Sequence, residues 1–347
     1  MNKRFWKKLK KPIIGLAPMD GVTDASMRFI TKKHGAPDVI FTEFVSAEGL
    51  AHLIHITPAS LPPLNLSGGK WKLFRDLIYD ESERPIVAQL FGGDPKAFYI
   101  SAKKIVELGF DGVDINMGCP AKKVARRGEG AGLINNQSQA KEIIEAVKEG
   151  IRESRILNLE SRIIPVSVKT RIGYEKPDES WWEFLAEQDL AVVSIHGRTF
   201  RQMYTGRADW EMIGKMASVI KSTGTLVLGN GDILSRAEAI NKTKKYGLDG
   251  VLIGRNAIGN PWIFNITPQP PSLPAGRQVN LSGGVDRIER FKVMVEHCKK
   301  FEELFPEDKF FAMRKHLCWY AKGFDGAGEL RKKLVLANSS KEVSVLI

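Results

Sequence analysis

The residues able to do chemistry in this chain gather where apolar runs end. The run 112–115 stops at Asn116-Met117-Gly118-Cys119-Pro120, and the thiol is followed by Lys122, Lys123, Arg126 and Arg127 in a glycine-rich stretch. Other runs end in Pro18-Met19, Glu43, Gln89, Lys169 with Arg171, His196 with Arg198, Asn230-Gly231-Asp232 and Gly254-Arg255. A thiol is mostly protonated at neutral pH, so Cys119 can donate a proton if nearby cations do not depress its pKa. A lysine closing a run as apolar as IIPVSV needs a polar or anionic partner at that end. Taken singly, Cys119 fits a small buried hydrophobe and His196 a hydrogen-bonded core histidine. A shared rim of thiol, lysine, histidine, glutamine and asparagine is what points to chemistry.

The elements that would build such a rim are legible as β-branched apolar runs. They centre on residues 13–17, 38–43, 85–90, 112–116, 165–170, 191–196, 225–230 and 250–254, and most are separated by segments of helical period such as 96–110 and 139–151. Eight continuous apolar strands with helical crossovers predict an α/β fold, a closed (β/α)8 TIM barrel over residues 1–264. In such a barrel the active site lies at the carboxyl ends of the strands. The turns after the seventh and eighth runs, LGNGDI and IGRNAIGNP, can present backbone N–H groups to an anion, with Arg255 adjacent. They suggest a phosphorylated cofactor such as FMN, leaving Gln89, Lys169 and His196 to face its ring.

Residues 285–347 read as an appended C-terminal helical domain, with strand-like alternation only at the extreme end. Two stretches, ITPASLPPLNLSGG (56–69, within an insert at 56–70) and ITPQPPSLPAGRQVNLSGG (266–284, within a linker at 265–284), share ITP, SLP and NLSGG in order. Their Pro, Gly and Ser content predicts two related mobile surface inserts, dispensable for activity.

The chain has 347 residues, 43% hydrophobic and 27% charged, which describes a soluble globular protein. Its net charge of +12 clusters at residues 3–11 and 122–127 and makes a polyanion such as nucleic acid a plausible partner. Three cysteines without a CxxC pair argue against a disulfide framework and a zinc site, and for a reducing, cytoplasmic compartment. No apolar run approaches the roughly 20 residues of a membrane span. The start reads as a basic arm leading into a strand, since Pro12 and Pro18 interrupt any signal-like apolar piece. A monomer is the default expectation.

The motifs LAPMDGVTDASMR, TEFVSAEGL, VAQLFGGDP, GVDINMGCPAKKV, VSVKTRIGYE, SIHGRTFRQMYTGRADW, GNGDI and IGRNAIGNPWIF, with RKHLCWYAKGFDGAGELRKKL in the tail, cover nearly the whole chain. Together they resemble the tRNA-dihydrouridine synthases, FMN-dependent enzymes that reduce uridine in tRNA. The resemblance implies that Cys119 donates the proton to C5 of uracil, that Gln89, Lys169 and His196 contact the isoalloxazine, and that Pro18 and Met19 line its pocket. It also implies that Gly231, Gly254 and Arg255, with Asn230 and Asp232 beside them, hold the phosphate. Asn116 is a candidate for hydrogen bonds to uracil, and Arg198 for either ring or substrate. Lys122, Lys123, Arg126 and Arg127 are expected to face RNA phosphates together with the helical tail, residues 285–347, read as a tRNA-binding domain, while glycines let the cysteine loop close on the substrate. NADPH as electron donor is implied by the resemblance alone, because no GxGxxG follows a strand. Two other readings stay open: a barrel flavoenzyme acting on free pyrimidines, and a non-enzymatic tRNA-binding protein.

Overall fold

A computed structural model of the chain describes residues 5–56, 73–157, 164–265, 285–306 and 308–347. The repeated Pro-, Gly- and Ser-rich stretches at 57–69 and 266–284 lie outside the described residues.

Eight parallel strands close into a barrel in chain order: β1 (Ile13–Leu16), β2 (Ile40–Ser46), β3 (Ile86–Phe91), β4 (Gly112–Met117), β5 (Val166–Arg171), β6 (Val192–His196), β7 (Leu226–Asn230) and β8 (Gly250–Ile253). Each lies on one of the eight β-branched runs. Their residues are nearly all buried, as expected where one face fills the barrel and the other meets a helix. Helices α1 (Ala25–Gly35), α2 (Ala47–Ile56), α3 (Pro95–Glu107), α4 (Gln137–Leu157), α5 (Glu179–Glu187), α6 (Trp210–Lys221) and α7 (Arg236–Lys245) surround it. Most start at an Asp or Ser whose side chain accepts a first-turn N–H, among them Asp24, Asp94, Asp178, Asp209 and Ser235. Each such cap contributes about 1 kcal/mol.

The amino end of the barrel is closed by the basic arm that leads into the first strand. Trp6 is 1% exposed and packs with Ile13, Phe41, Leu228 and Leu252, while Lys11 pairs with Asp249 just before β8. Residues 5–11 therefore sit at the end opposite the strand carboxyl ends. Of the described lysines in that arm, Lys11 pairs with Asp249, while Lys7, Lys8 and Lys10 are exposed at this end.

The regular elements among the tail's described residues are all helical, chiefly α8 (Arg287–Leu304), α9 (Arg314–Tyr320), α10 (Ala327–Leu334) and α11 (Ser340–Leu346). The alternation at the extreme end is thus not a strand. Ser339 accepts from the N–H of Glu342 and starts a helix that buries Val343. The tail does not bury a core of its own, because Ala25 and Ile30 of α1 and Trp262 belong to the same apolar cluster as Met294, Phe301 and Leu317. A buried polar seam joins them. His316 Nε2 lies 3.2 Å from Asp24, Ser26 Oγ donates to Asp24 at 2.6 Å, and His297 bridges Ser26 (3.0 Å) and Tyr320 (3.2 Å). Because the Ser26 hydroxyl donates to Asp24, His297 Nε2 carries the proton that it gives Ser26, and Nδ1 accepts from Tyr320. No helix among the described residues is long and apolar enough to cross a membrane.

Candidate active site

A cavity of about 770 Å³ opens at the carboxyl ends of the strands. Its wall holds Pro18, Met19, Gln89, Asn116, Cys119, Lys169, His196, Asn230, Gly231, Asp232, Gly254 and Arg255, all anticipated from strand ends. The register explains why they meet. Gln89 pairs with Asp114, Asn116 with Lys169, Arg171 with His196, and His196 with Asn230. Residues two apart on a strand share a face, so one inward register brings a whole layer of polar groups together.

Within that layer the amides are engaged with each other. Gln89 Nε2 donates to Asp114 Oδ2 at 2.6 Å, Asn116 Nδ2 donates to Gln89 Oε1 at 3.0 Å, and Asn116 Oδ1 accepts from Gly118 N (3.0 Å) and Cys119 N (2.8 Å). Asn116 was expected to bind uracil. Its oxygen is instead committed to the cysteine loop, which leaves only its second amide hydrogen for a ligand.

Electrostatics separates the titratable groups. Burial, with Arg171 beside it, lowers Lys169 to about 8, against the attraction of Asp114 and Cys119. Burial pushes the Cys119 thiol up, against a hydrogen bond from the backbone at Ala121 and the cations Arg171 and Lys169. The thiol is therefore held in its protonated form at neutral pH. Burial and the cations Arg171, Lys169, Arg198 and Arg255 hold His196 well below its usual range, so the imidazole is neutral. Arg198 Nη1 lies 3.3 Å from His196 Nε2, and a guanidinium can only donate, which places the imidazole proton on Nδ1.

The anion-binding corner has a counter-ion built in. Asp232 Oδ1 accepts from Arg255 at 2.8 Å, and its Oδ2 accepts from Arg198 at 2.6 Å and from the N–H of Ala208 at 2.8 Å. Asp232 thus orients Arg255, whose guanidinium lies 5.7 Å from the Tyr204 ring centroid. Gly231, at φ 135°, takes a backbone conformation that L side chains rarely adopt. Arg198 itself is buried at 2% exposure and bonded to Thr205 O and Gly206 O, behind the wall and not on it. The reading of Arg198 as a ring or substrate contact gives way to one of support for His196 and Asp232.

The cysteine loop carries a short helical turn, Lys122–Ala125, from which Lys122, Lys123, Arg126 and Arg127 face solvent. None of the four crowds the sulfur; Arg127 pairs with Glu129 at 2.6 Å. The glycines expected to let the loop close instead let it pack. Gly130, at φ 56°, is buried, and a Cβ there would sit 3.0 Å from Cys119 Cβ. At Gly132 an added Cβ would come within 2.6 Å of the Ala125 carbonyl oxygen.

Four residues of the cavity or its support were given no role by the sequence. Asp114 lies beneath Gln89, and strand alternation from Asn116 was the available signal. Arg171, two residues past Lys169, bonds Gly118 O (2.7 Å), Thr199 O (3.0 Å) and Met203 O (3.0 Å), fastening the cysteine loop to the loop after β6. Tyr204, 57% exposed at the cavity, and Asp76 come from loops with no such signal.

A family profile described as dihydrouridine synthase matches residues 15–346. A probable tRNA-dihydrouridine synthase of Staphylococcus aureus (strain MRSA252) is 33% identical over 353 residues, covering 100% of this chain and 95% of that protein. Probable tRNA-dihydrouridine synthase 2 of Bacillus subtilis (strain 168) is 35% identical over 351 residues, covering 100% and 96%. Among solved structures, morphinone reductase in complex with tetrahydroNAD matches at a TM-score of 0.47 and 14% identity, over 72% of this chain and 85% of that one. With the profile spanning the barrel and the helical tail, and relatives above 30% identity aligned along the full chain, the protein belongs to the dihydrouridine synthase family.

Proposed function

We propose that this chain is a cytoplasmic tRNA-dihydrouridine synthase that saturates the C5=C6 bond of uridines in tRNA, using FMN and NADPH, with Cys119 as the proton donor to C5. The observation that carries this reading is a protonated thiol on the wall of a barrel-mouth cavity that also holds Lys169, a neutral His196 and Arg255. The three cysteines are free thiols, in keeping with a reducing compartment.

The residues present fit a flavin mononucleotide. The cavity, about 770 Å³, is of ligand size. Its donors divide into an anion corner, Gly231, Gly254 and Arg255, and a polar floor, Gln89, Lys169 and His196, with Pro18 and Met19 as apolar walls. FMN, once bound and reduced by NADPH, would supply hydride for C6, the electron-poor end of the unsaturated carbonyl. Lys169 and the Nδ1–H of His196 are the donors available to an electron-rich ring edge. Cys119 gives its Sγ proton to C5, and burial keeps that proton in place until a base arrives. Tyr204 and Arg171 line the cavity that would receive an extruded base, and extrusion costs a few kcal/mol. The solvent-facing Lys122, Lys123, Arg126 and Arg127 offset that cost by approaching phosphates.

Mass spectrometry of nucleosides from unmodified tRNA, incubated with the protein and NADPH, tests the reading. The expected result is uridine gaining two hydrogen atoms. Cys119→Ala should keep the flavin and lose product by roughly 10² to 10⁴. A flavin-loaded wild-type protein that reduces free pyrimidines and leaves tRNA unchanged would overturn the substrate assignment.

A further inference from the structure

We infer that Asp114 is a positioning residue, which sets the direction of a chain of hydrogen bonds ending on the backbone of Cys119. The inference rests on the reading of Cys119 as proton donor. Asp114 is fully buried in the barrel interior. Its carboxyl is raised to about 6 by burial, against hydrogen bonds from Ser167 and Gln89, so it is largely ionised at neutral pH. An ionised carboxylate accepts and cannot donate. One oxygen takes the Ser167 hydroxyl at 2.5 Å and the other takes Gln89 Nε2 at 2.6 Å.

Each later step is forced by the one before. With Nε2 held on Asp114, Gln89 must turn Oε1 toward Asn116. Asn116 then turns Nδ2 toward Gln89 (3.0 Å) and Oδ1 toward the N–H groups of Gly118 and Cys119 (3.0 and 2.8 Å). An amide looks nearly symmetric to its neighbours by shape, so packing alone does not choose between its two orientations. A charged acceptor at one end does, in agreement with the two backbone N–H groups that Asn116 Oδ1 meets at the other.

Asp114→Asn removes that choice. If the introduced amide keeps accepting from Ser167 through its oxygen, it presents an NH₂ to Gln89, which reverses Gln89 and then Asn116, and sets an NH₂ against the Cys119 N–H. Ser167 has a weak escape, since its other acceptor, Val113 O, stands at 3.5 Å. Combining Asp114→Asn with Gln89→Glu restores the direction. The introduced amide then accepts from Ser167 and donates to the introduced carboxylate, whose second oxygen again faces Asn116.

The test measures the rate of Cys119 alkylation by iodoacetamide in the FMN-loaded protein, peptide by peptide so that Cys318 does not interfere. In Asp114→Asn the loop is released, and the rate should rise about tenfold, the scale of one misdirected buried hydrogen bond. The double variant should return it toward wild type. In Asp114→Asn, kcat for dihydrouridine formation should also fall, with KM for tRNA little changed. An Asp114→Asn protein that alkylates at the wild-type rate, or a double variant no closer to wild type than the single, overturns the inference. Should Asp114→Asn fail to fold, Gln89→Glu alone sets two carboxylates together and should release the loop, with relief in the double variant; absence of relief overturns it equally. Alkylation does not depend on the substrate, so a wild type that leaves tRNA unreduced would count against the function while this comparison still decides the role of Asp114.

Discussion

Asn116 Oδ1 accepts the backbone N–H of Cys119 at 2.8 Å, so a side chain near the end of strand β4 also aims the thiol beyond it. Asn116→Ala should leave the barrel folded and the flavin bound. Turnover should fall about tenfold to a hundredfold from a misplaced donor, while KM for tRNA stays near wild type. Steady-state kinetics decides this, because a rise in KM at unchanged kcat would return Asn116 to uracil binding.

The thiol of Cys119 keeps its proton longer than an ordinary cysteine, since burial disfavours the thiolate more than Arg171 and Lys169 favour it. Alkylation of Cys119 in the wild type should be slow at neutral pH and rise only above the usual thiol range. Dihydrouridine formation should not decline across that neutral range. A rapid reaction at pH 7 would mean a thiolate, and a different proton donor.

The exposed turn bearing Lys122, Lys123, Arg126 and Arg127 offers charge to a polyanion at the cavity end of the barrel. Replacing all four with alanine should weaken tRNA binding and flatten the plot of log affinity against log salt, by up to about 0.9 for each phosphate no longer neutralised. Flavin content should be unaffected. An unchanged salt slope would place the RNA elsewhere.

Glu43 is raised to about 8 from an ordinary 4.5, by burial first and then by the carboxylates of Asp76 and Asp24, against Arg28 and Lys315. Between those two values the unfolded chain gives up a proton that the folded chain keeps, so stability should fall as pH rises through that window. Glu43→Gln removes this contribution. Its Tm should decline less than that of the wild type between about pH 5 and 8, measured by thermal unfolding in one buffer series. Parallel curves would show that Glu43 ionises freely.

Strand positions and many of the polar groups on the cavity wall were legible in the amino-acid sequence, because a parallel barrel buries both faces of each strand and exposes its chemistry only at one end. Continuous β-branched runs mark the strands, and polar residues that interrupt them mark the rim. Lys169, His196 and Gln89 could be found in that way from residue order alone.

What each rim residue does was decided by the tertiary structure. The same amide at Asn116 serves a ligand or a loop according to whether the N–H of Cys119 lies within reach, and only the folded loop, with Gly130 packed against Cys119, brings it there. Arg198 stands only two residues from His196, yet the chain turns after β6 and sends its guanidinium behind the wall to Asp232. The basic arm at the start resembles an RNA-binding segment in composition, but the parallel strand direction places it at the barrel floor. Residue type and periodicity are local properties that a sequence carries directly; which hydrogen-bond partner a polar group meets depends on register and on the meeting of distant segments, and only the folded chain supplies those.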